Sequence, residues 1–370
     1  GSARSAITVN GAINANTALS PGSSYVALVA PRVVQAGAVR VDGSVGYVAA
    51  EQADIRINGG LFDINVLVGA EGGNVITHTG TTGGPGHVDS NPNDSRVYMV
   101  AIPKNLAVTM LVSGQIGYDA VSAQVDPNGA VRLSAGYNIT NGELNDTPVN
   151  ATAANITVGD TLLSSSVVAH ASGTFAGRPD NMIPPSAPPT PQTGKIIVLG
   201  DADFRGDTGA TLTAGADQAI EVDGTLSLQS LGQLQADGSR QGGNATLSAL
   251  GGSVTAGFIT VASIGAGGIG TGGDGGDGAG GDAAVLISGT GSTLTANGLN
   301  IQSTGIGGGV TFDSSGVGTA VDNSGNGTGG NATLTVENGG ALSINGQLSV
   351  AAAGIGQTGN IQSGSGTGVT

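Results

Sequence analysis

The chain contains no cysteine and no tryptophan. Only 3% of its 370 residues are aromatic and only 10% are charged. Without cysteine there is neither a disulfide framework nor a thiolate metal site. A chain free of disulfides can also cross an outer-membrane pore unfolded, because no closed loop has to be threaded. The low charge density, with 38% apolar residues, argues against intrinsic disorder. Lys, Arg and Glu are scarce where a helical protein would need them. The 11 basic residues are scattered from Arg4 to Arg240 within a net charge of −15. Nucleic-acid binding needs clustered cations, so no nucleic-acid partner is expected. No apolar run approaches the 18 or so residues of a spanning helix.

What is abundant is glycine, 69 residues in all, but without the strict three-residue period of collagen. It punctuates short alternating apolar pieces. Three segments share one grammar: Gly243-Asn-Ala-Thr-Leu247, Gly281-Asp-Ala-Ala-Val285 and Gly330-Asn-Ala-Thr-Leu334. Each is followed by a Gly turn and two further apolar pieces. The copies start 38 and 49 residues apart, and the difference lies in Gly-rich stretches expected to be surface loops. An earlier copy starts at Gly209-Ala-Thr-Leu212. In the first half, Val26, Val45 and Ile64 are spaced by 19, as successive coils would be. Alternation points Val26 with Leu28, Ile55 with Ile57, and Ile64 with Val66 inward. The stretch from Val97 to Val112 is apolar, and Asp126-Pro-Asn-Gly129 signals a turn before a strand at Val131 and Leu133.

These pieces predict an all-β fold, a right-handed single-stranded parallel β-helix with Gly-rich loops and room for a small extra-helical element. Any binding is expected to use the Gly-rich loops or an extra-helical element around residues 70–95 and 175–193. Stacking at the strand spacing gives roughly 12 to 16 coils over about 60–75 Å. The predicted organisation is an N-terminal β-helix segment at 1–182 and a Pro-rich loop or linker at 183–193. A C-terminal β-helix follows at 194–370. An antiparallel sandwich or barrel is the competing fold. The last residues, from Ser363, offer no cap for an open strand edge, so the native chain is expected to continue.

The run from Ser24-Tyr-Val-Ala-Leu-Val-Ala-Pro through Val45-Gly-Tyr-Val-Ala-Ala-Glu51 resembles the filamentous haemagglutinin family of exported bacterial proteins. Ile55–Gly60 and Leu61-Phe-Asp-Ile64 look like its continuation. Arg96-Val-Tyr-Met-Val-Ala-Ile-Pro-Lys104 and Ser134-Ala-Gly-Tyr-Asn138 are similar to the large haemagglutinin-like surface proteins of alphaproteobacteria. The resemblance implies export by an outer-membrane two-partner transporter, residence outside the cell or on its surface, and attachment to a receptor or an abiotic surface.

Candidate chemistry is sparse. His78, His87 and His170 lack ligand spacing; His78 and His87 fall in a Gly/Thr-rich loop region, and solvated loop histidines are expected. Gly272-Gly-Asp-Gly-Gly-Asp277 matches the start of a calcium-binding repeat. Calcium needs several oxygen ligands, and a single copy reads better as an acidic loop around Asp274 and Asp277. Asp201, Asp203 and Asp207 sit near Phe204 and Arg205, a carboxylate set that a polysaccharide hydrolase could use. A solvated turn is the stronger reading. Asn244-Ala-Thr246 and Asn331-Ala-Thr333 are read as stacked strand starts where Asn forms a ladder. No cofactor, metal or catalytic residue is assigned. The expected role is a non-enzymatic shaft segment of a large surface adhesin, with a β-helical polysaccharide lyase or hydrolase as the alternative. A flat-faced binder would need Thr and Asn ladders along one side.

Overall fold

A computed structural model describes residues 5–15, 24–84, 95–118, 131–179, 194–269, 274–308, 311–312, 318–319, 324–356 and 366–367. The Asp126–Gly129 turn, the Pro-rich run 183–193, His87, Gly272 and Gly273, and Ser363 to Ser365 lie outside these residues. The described residues are all-β and include no helix. Twenty-eight strands are joined in one large mixed sheet, with smaller sheets of five and two strands. The chain divides into two compact units. The first is Gly1–Phe204 with Ala214–Leu226 and Gly252–Ala256. The second is Arg205–Thr213 with Ser227–Gly251 and Gly257–Thr370.

In the first unit, successive strands pair in parallel, and equivalent side chains fall over one another. One column runs Val26, Val45, Val97, Val131, Val167. A second runs Ile7, Val33, Ile76, Met110, Ile156, Phe175. A third runs Ile13, Val39, Thr82, Ile116, Leu163, Val198, Val222. Nearly all of these are buried. β-Branched and aliphatic residues stack well on a pleated surface, and each buried Val or Ile contributes about 1.5–3 kcal/mol relative to exposure.

Polar residues interrupt the columns where they can bond to one another. His78 is fully buried and is the Cα partner of Gln35. Its Nδ1 lies 2.7 Å from the Ser113 carbonyl, which can only accept, so Nδ1 carries the proton. Nε2 therefore accepts from the Thr82 hydroxyl at 2.8 Å, and the Thr82 oxygen accepts from Tyr47 at 2.7 Å. Burial pushes the His78 imidazole down to about 4, against the opposing pull of the Ser113 carbonyl. Burial also pushes the Tyr47 phenol up.

The 19-residue spacing has two different meanings. Val26 and Val45 are parallel partners, as expected. Ile64 is not a third coil. After Val45–Asn58 the chain reverses at Gly59 and Gly60, with φ of 56° and 89°, and Leu61–Gly69 returns antiparallel, placing Ile64 opposite Ile55. Ile64 and Val66 point inward as predicted, whereas Ile57 is 54% exposed because it lies on the hairpin beyond the covered face. The strands Val97–Ala101, Val108–Ile116 and Val131–Ala135 account for the apolar stretches read in the sequence.

In the second unit, register equals repeat spacing. Ala245, Ala283 and Ala332 are partners at the offsets of 38 and 49 residues, and Leu247, Val285 and Leu334 stack beside them. Asn244, Asp282 and Asn331 form the expected ladder. The Asp282 amide donates to Asn244 Oδ1 (3.1 Å), and Asn331 Nδ2 donates to Asp282 Oδ1 (2.9 Å). Buried serines link the paired segments. Ser263 Oγ donates to the Gly243 carbonyl and accepts from the Gly281 amide, and Ser303 Oγ repeats this between Gly281 and Gly330.

The described parts of the Gly-rich stretches are not loose surface loops. Arg240, Gly278 and Gly327 are parallel partners, as are Gln241, Ala279 and Thr328. Consecutive amides bond in different directions: Gly267 donates to the Ile306 carbonyl and Gly268 to that of Gly238. Gly276 donates to Gly268, Gly308 to Gly276, and Gly325 to Gly308. A Cβ at Gly276 would strike the Gly238 backbone, and one at Gly278 the Ile306 carbonyl. Here glycine is required by space, because the segments touch backbone to backbone. The hydrogen in place of each Cβ faces a carbonyl, the geometry of a weak Cα–H···O contact.

Candidate functional site

The antiparallel hairpin lies on the outer face of the first unit's parallel strands. Phe62, Ile64 and Val66 from its returning strand pack with Val48, Tyr98, Val100, Ile102 and Ile139. This explains why Val97–Ala101 is buried on both faces. The Phe62 ring stacks on Tyr98 at 5.6 Å and meets Tyr25 at 5.9 Å. A second, smaller hairpin, Ile139–Thr140 with Glu143–Leu144, extends the sheet, with Ile139 the antiparallel partner of Ile64.

An ionic latch holds this second hairpin. Arg132, 1% exposed, makes a forked contact to Glu143 at 2.9 and 3.0 Å. Arg96, 4% exposed, bonds to the Gly142 carbonyl at 2.7 Å and to Glu143 at 2.5 Å. Partial burial would raise the Glu143 carboxyl, but the hydrogen bond and charge of Arg132, with those of Arg96, outweigh it and hold it below the usual range. Burial pushes the Tyr98 phenol up to about 12 despite the nearby Arg96 charge.

On the solvent face of the same sheet is a cleft of about 240 Å³. Asp54, Arg56, Asp63 and Asn65 line it from the large hairpin, and Asn138, Ile139, Thr140 and Asn145 line it from the smaller one. Asp54 lies opposite Asn65, and Arg56 opposite Asp63. Asn138 sets the third strand in place: its Nδ2 donates to Asn65 Oδ1 (2.8 Å), and its Oδ1 accepts from the Val66 amide (3.0 Å). Asp63 Oδ1 accepts from the Asn141 amide at 2.6 Å.

This element is not where the sequence placed it. Of the region 70–95, Gly73–His78 and Thr81–Gly83 belong to the parallel stacks, and 85–94 lies outside the described residues. Of 175–193, the described start is the strand Thr174–Gly177, paired in parallel with Ile156–Val158. The sequence signal that was missed is Val97-Tyr-Met-Val-Ala101. A strand apolar on both faces needs a cover on each.

The sequence candidates are dispersed. The histidines are not solvated loop residues as expected: His78 ends a strand and is enclosed in the column, and His170 is buried on a strand with its ring 4.1 Å from Tyr137. Asp277 Oδ1 accepts from the Asn326 amide at 2.7 Å and so serves the Gly-rich ladder. Asp201 Oδ1 accepts from the Thr225 amide at 2.7 Å. Phe204 is turned inward and stacked on Phe175 at 4.5 Å, so it is no sugar platform. The Asp207 carbonyl accepts from the Gly232 amide. Among the described residues no group of three or more His, Cys, Asp or Glu is placed to hold a metal. Outer-face partners such as Thr246, Ala284 and Thr333 do not make an unbroken Thr ladder. No helix among the described residues is long and apolar enough to cross a membrane. No protein family, curated protein or solved structure matches the chain.

Proposed function

We propose that this chain is a structural shaft segment of a large secreted or cell-surface adhesin, built as a right-handed parallel β-helix. The observation that carries the reading is the in-register parallel pairing of strands whose sequence offsets equal the repeat, 38 and 49 residues in the second unit. A chain that pairs each coil with the next gains length in proportion to residues added. Its acidic charge keeps neighbouring copies apart. Export through an outer-membrane two-partner transporter fits the absence of cysteine. Attachment would use surface elements added to the stack rather than the stack itself. The outward antiparallel sheet of the first unit is one such element.

Two measurements test the proposal. A crystal structure should show right-handed coils about 4.8 Å apart; left-handed or non-stacked coils would remove its basis. Microspheres coated with the chain should attach to host cells or abiotic surfaces above albumin-coated controls. Equal attachment would count against adhesion. Release of oligosaccharides from a panel of acidic polysaccharides would favour the lyase or hydrolase alternative.

A further inference from the structure

We propose that the cleft on the antiparallel sheet is a binding site for a neutral sugar ring. Asn138 spends its amide on holding the sheet together, but several other polar groups of the lining are not consumed by the protein. The side chains of Asp54 and Arg56 make no hydrogen bond or ion pair to any other described residue. Asn65 uses its Oδ1 to accept from Asn138, and its Nδ2 donates to no described residue. Thr140 and Asn145 likewise keep their side-chain polar atoms free among the described residues.

The lining selects the ligand class. Carboxylates at Asp54 and Asp63 accept from hydroxyls, while the Arg56 guanidinium and the Asn65 amide donate to them. Adjacent hydroxyls on a sugar ring each donate and accept, so such a mixed set meets them in pairs. A cation is disfavoured because Arg56 neighbours both acids, two residues along the strand from Asp54 and directly opposite Asp63. An anion is disfavoured by those two carboxylates. An apolar ligand is disfavoured because the one large apolar lining residue, Ile139, is itself 2% exposed. The volume, about 240 Å³, is below the usual range for drug-sized pockets and suits one ring of an open chain. The lining has no aromatic platform, so binding is weak for one site, with a Kd in the millimolar range, and depends on many copies for strength. This names a ligand class for the attachment proposed above and rests on that reading for its purpose. Sugar binding is read on the purified chain, so it can succeed or fail independently of cell attachment.

The test is saturation-transfer NMR on the purified chain with the methyl glycosides of glucose, galactose, mannose and N-acetylglucosamine. Each is used at about 10 mM, tenfold above a millimolar Kd. The expected result is transfer to at least one glycoside, unchanged by EDTA. It should fall at least tenfold in both Asp54→Ala and Arg56→Ala and persist in the control Glu221→Gln. Melting curves matched to the parent chain establish that the variants are folded, and Asp54→Asn supplies a milder change at the same point. Four results would overturn the proposal: no transfer to any glycoside, transfer unaffected by the two cleft variants, a requirement for calcium, or a stronger response to a sulfated glycoside than to its neutral parent.

Discussion

In the first unit the interior is made of side chains: Val, Ile, Met and Phe fill the columns, and every tyrosine and histidine of the chain falls within that unit. In the second, aliphatic columns at Ala245–Leu250 and its partners stand beside segments whose contacts are backbone on backbone, from Gly238 through Gly268, Gly276 and Gly308 to Gly325. The columns of both are built by parallel pairing, yet the atoms that exclude water differ. Glycine content by itself therefore says little about order. A glycine free on all sides adds entropy to a loop, whereas one wedged between carbonyls is a packing residue that no side chain can replace.

The contrast can be broken by substitution. The largest expected effect is at Phe204→Ala. Removing one ring of the stacked Phe175–Phe204 pair should cost about 3–5 kcal/mol. The loss would be seen as an earlier unfolding transition in tyrosine near-UV circular dichroism, a signal confined to the first unit. An unchanged transition would mean the ring pair is not load-sharing in the core.

Acid should also act on the first unit. The His78 imidazole is held to about 4 in the folded chain, against about 6.5 when unfolded. Between these values the unfolded chain binds the extra proton, so stability is full above pH 6.5 and declines as pH falls toward 4. The whole decline amounts to about 3 kcal/mol. His78→Gln should flatten it, which denaturant unfolding at pH 7 and pH 4.5 measures directly. The second unit has no histidine and should show no such slope.

Gly278→Ala sharpens the comparison through its sign. In an open loop the change would stabilise by about 0.4–1 kcal/mol. With the Ile306 and Gly265 carbonyls in the way, it should destabilise by about 1–3 kcal/mol. The smallest effect is expected at Asn331→Ala, where an exposed ladder bond to Asp282 is lost at about 0.5 kcal/mol. Differential scanning calorimetry resolves both.

The sequence carried the stacking well because its repeat is written in side chains that recur at the register spacing. Ala245, Ala283 and Ala332 hold the same place in each repeat and are partners. Alternation also located Val26; the apolar stretch Val97–Val112 falls on two strands, and the turn signature before Val131 pointed to a strand that is there. Two features were hidden. The direction of Leu61–Gly69 is set by the turn at Gly59 and Gly60, and alternation looks the same in parallel and antiparallel strands. Glycine strings have no side-chain pattern, so a packed array and a loose loop read alike. The cleft was out of reach for a related reason. Asp54 and Arg56 meet Asn138 and Asn145 only after two hairpins, some 80 residues apart, are laid edge to edge.

Site-resolved amide hydrogen exchange at Gly267, Gly268, Gly276, Gly278, Gly280 and Gly308 tests the packed-backbone interior most directly. Each of these amides donates to a carbonyl of another segment. Protection comparable to that of Leu247 and Val285 is expected, since exchange would require opening of the stack. Exchange at the rate of an unstructured peptide would contradict it and return these segments to simple loops.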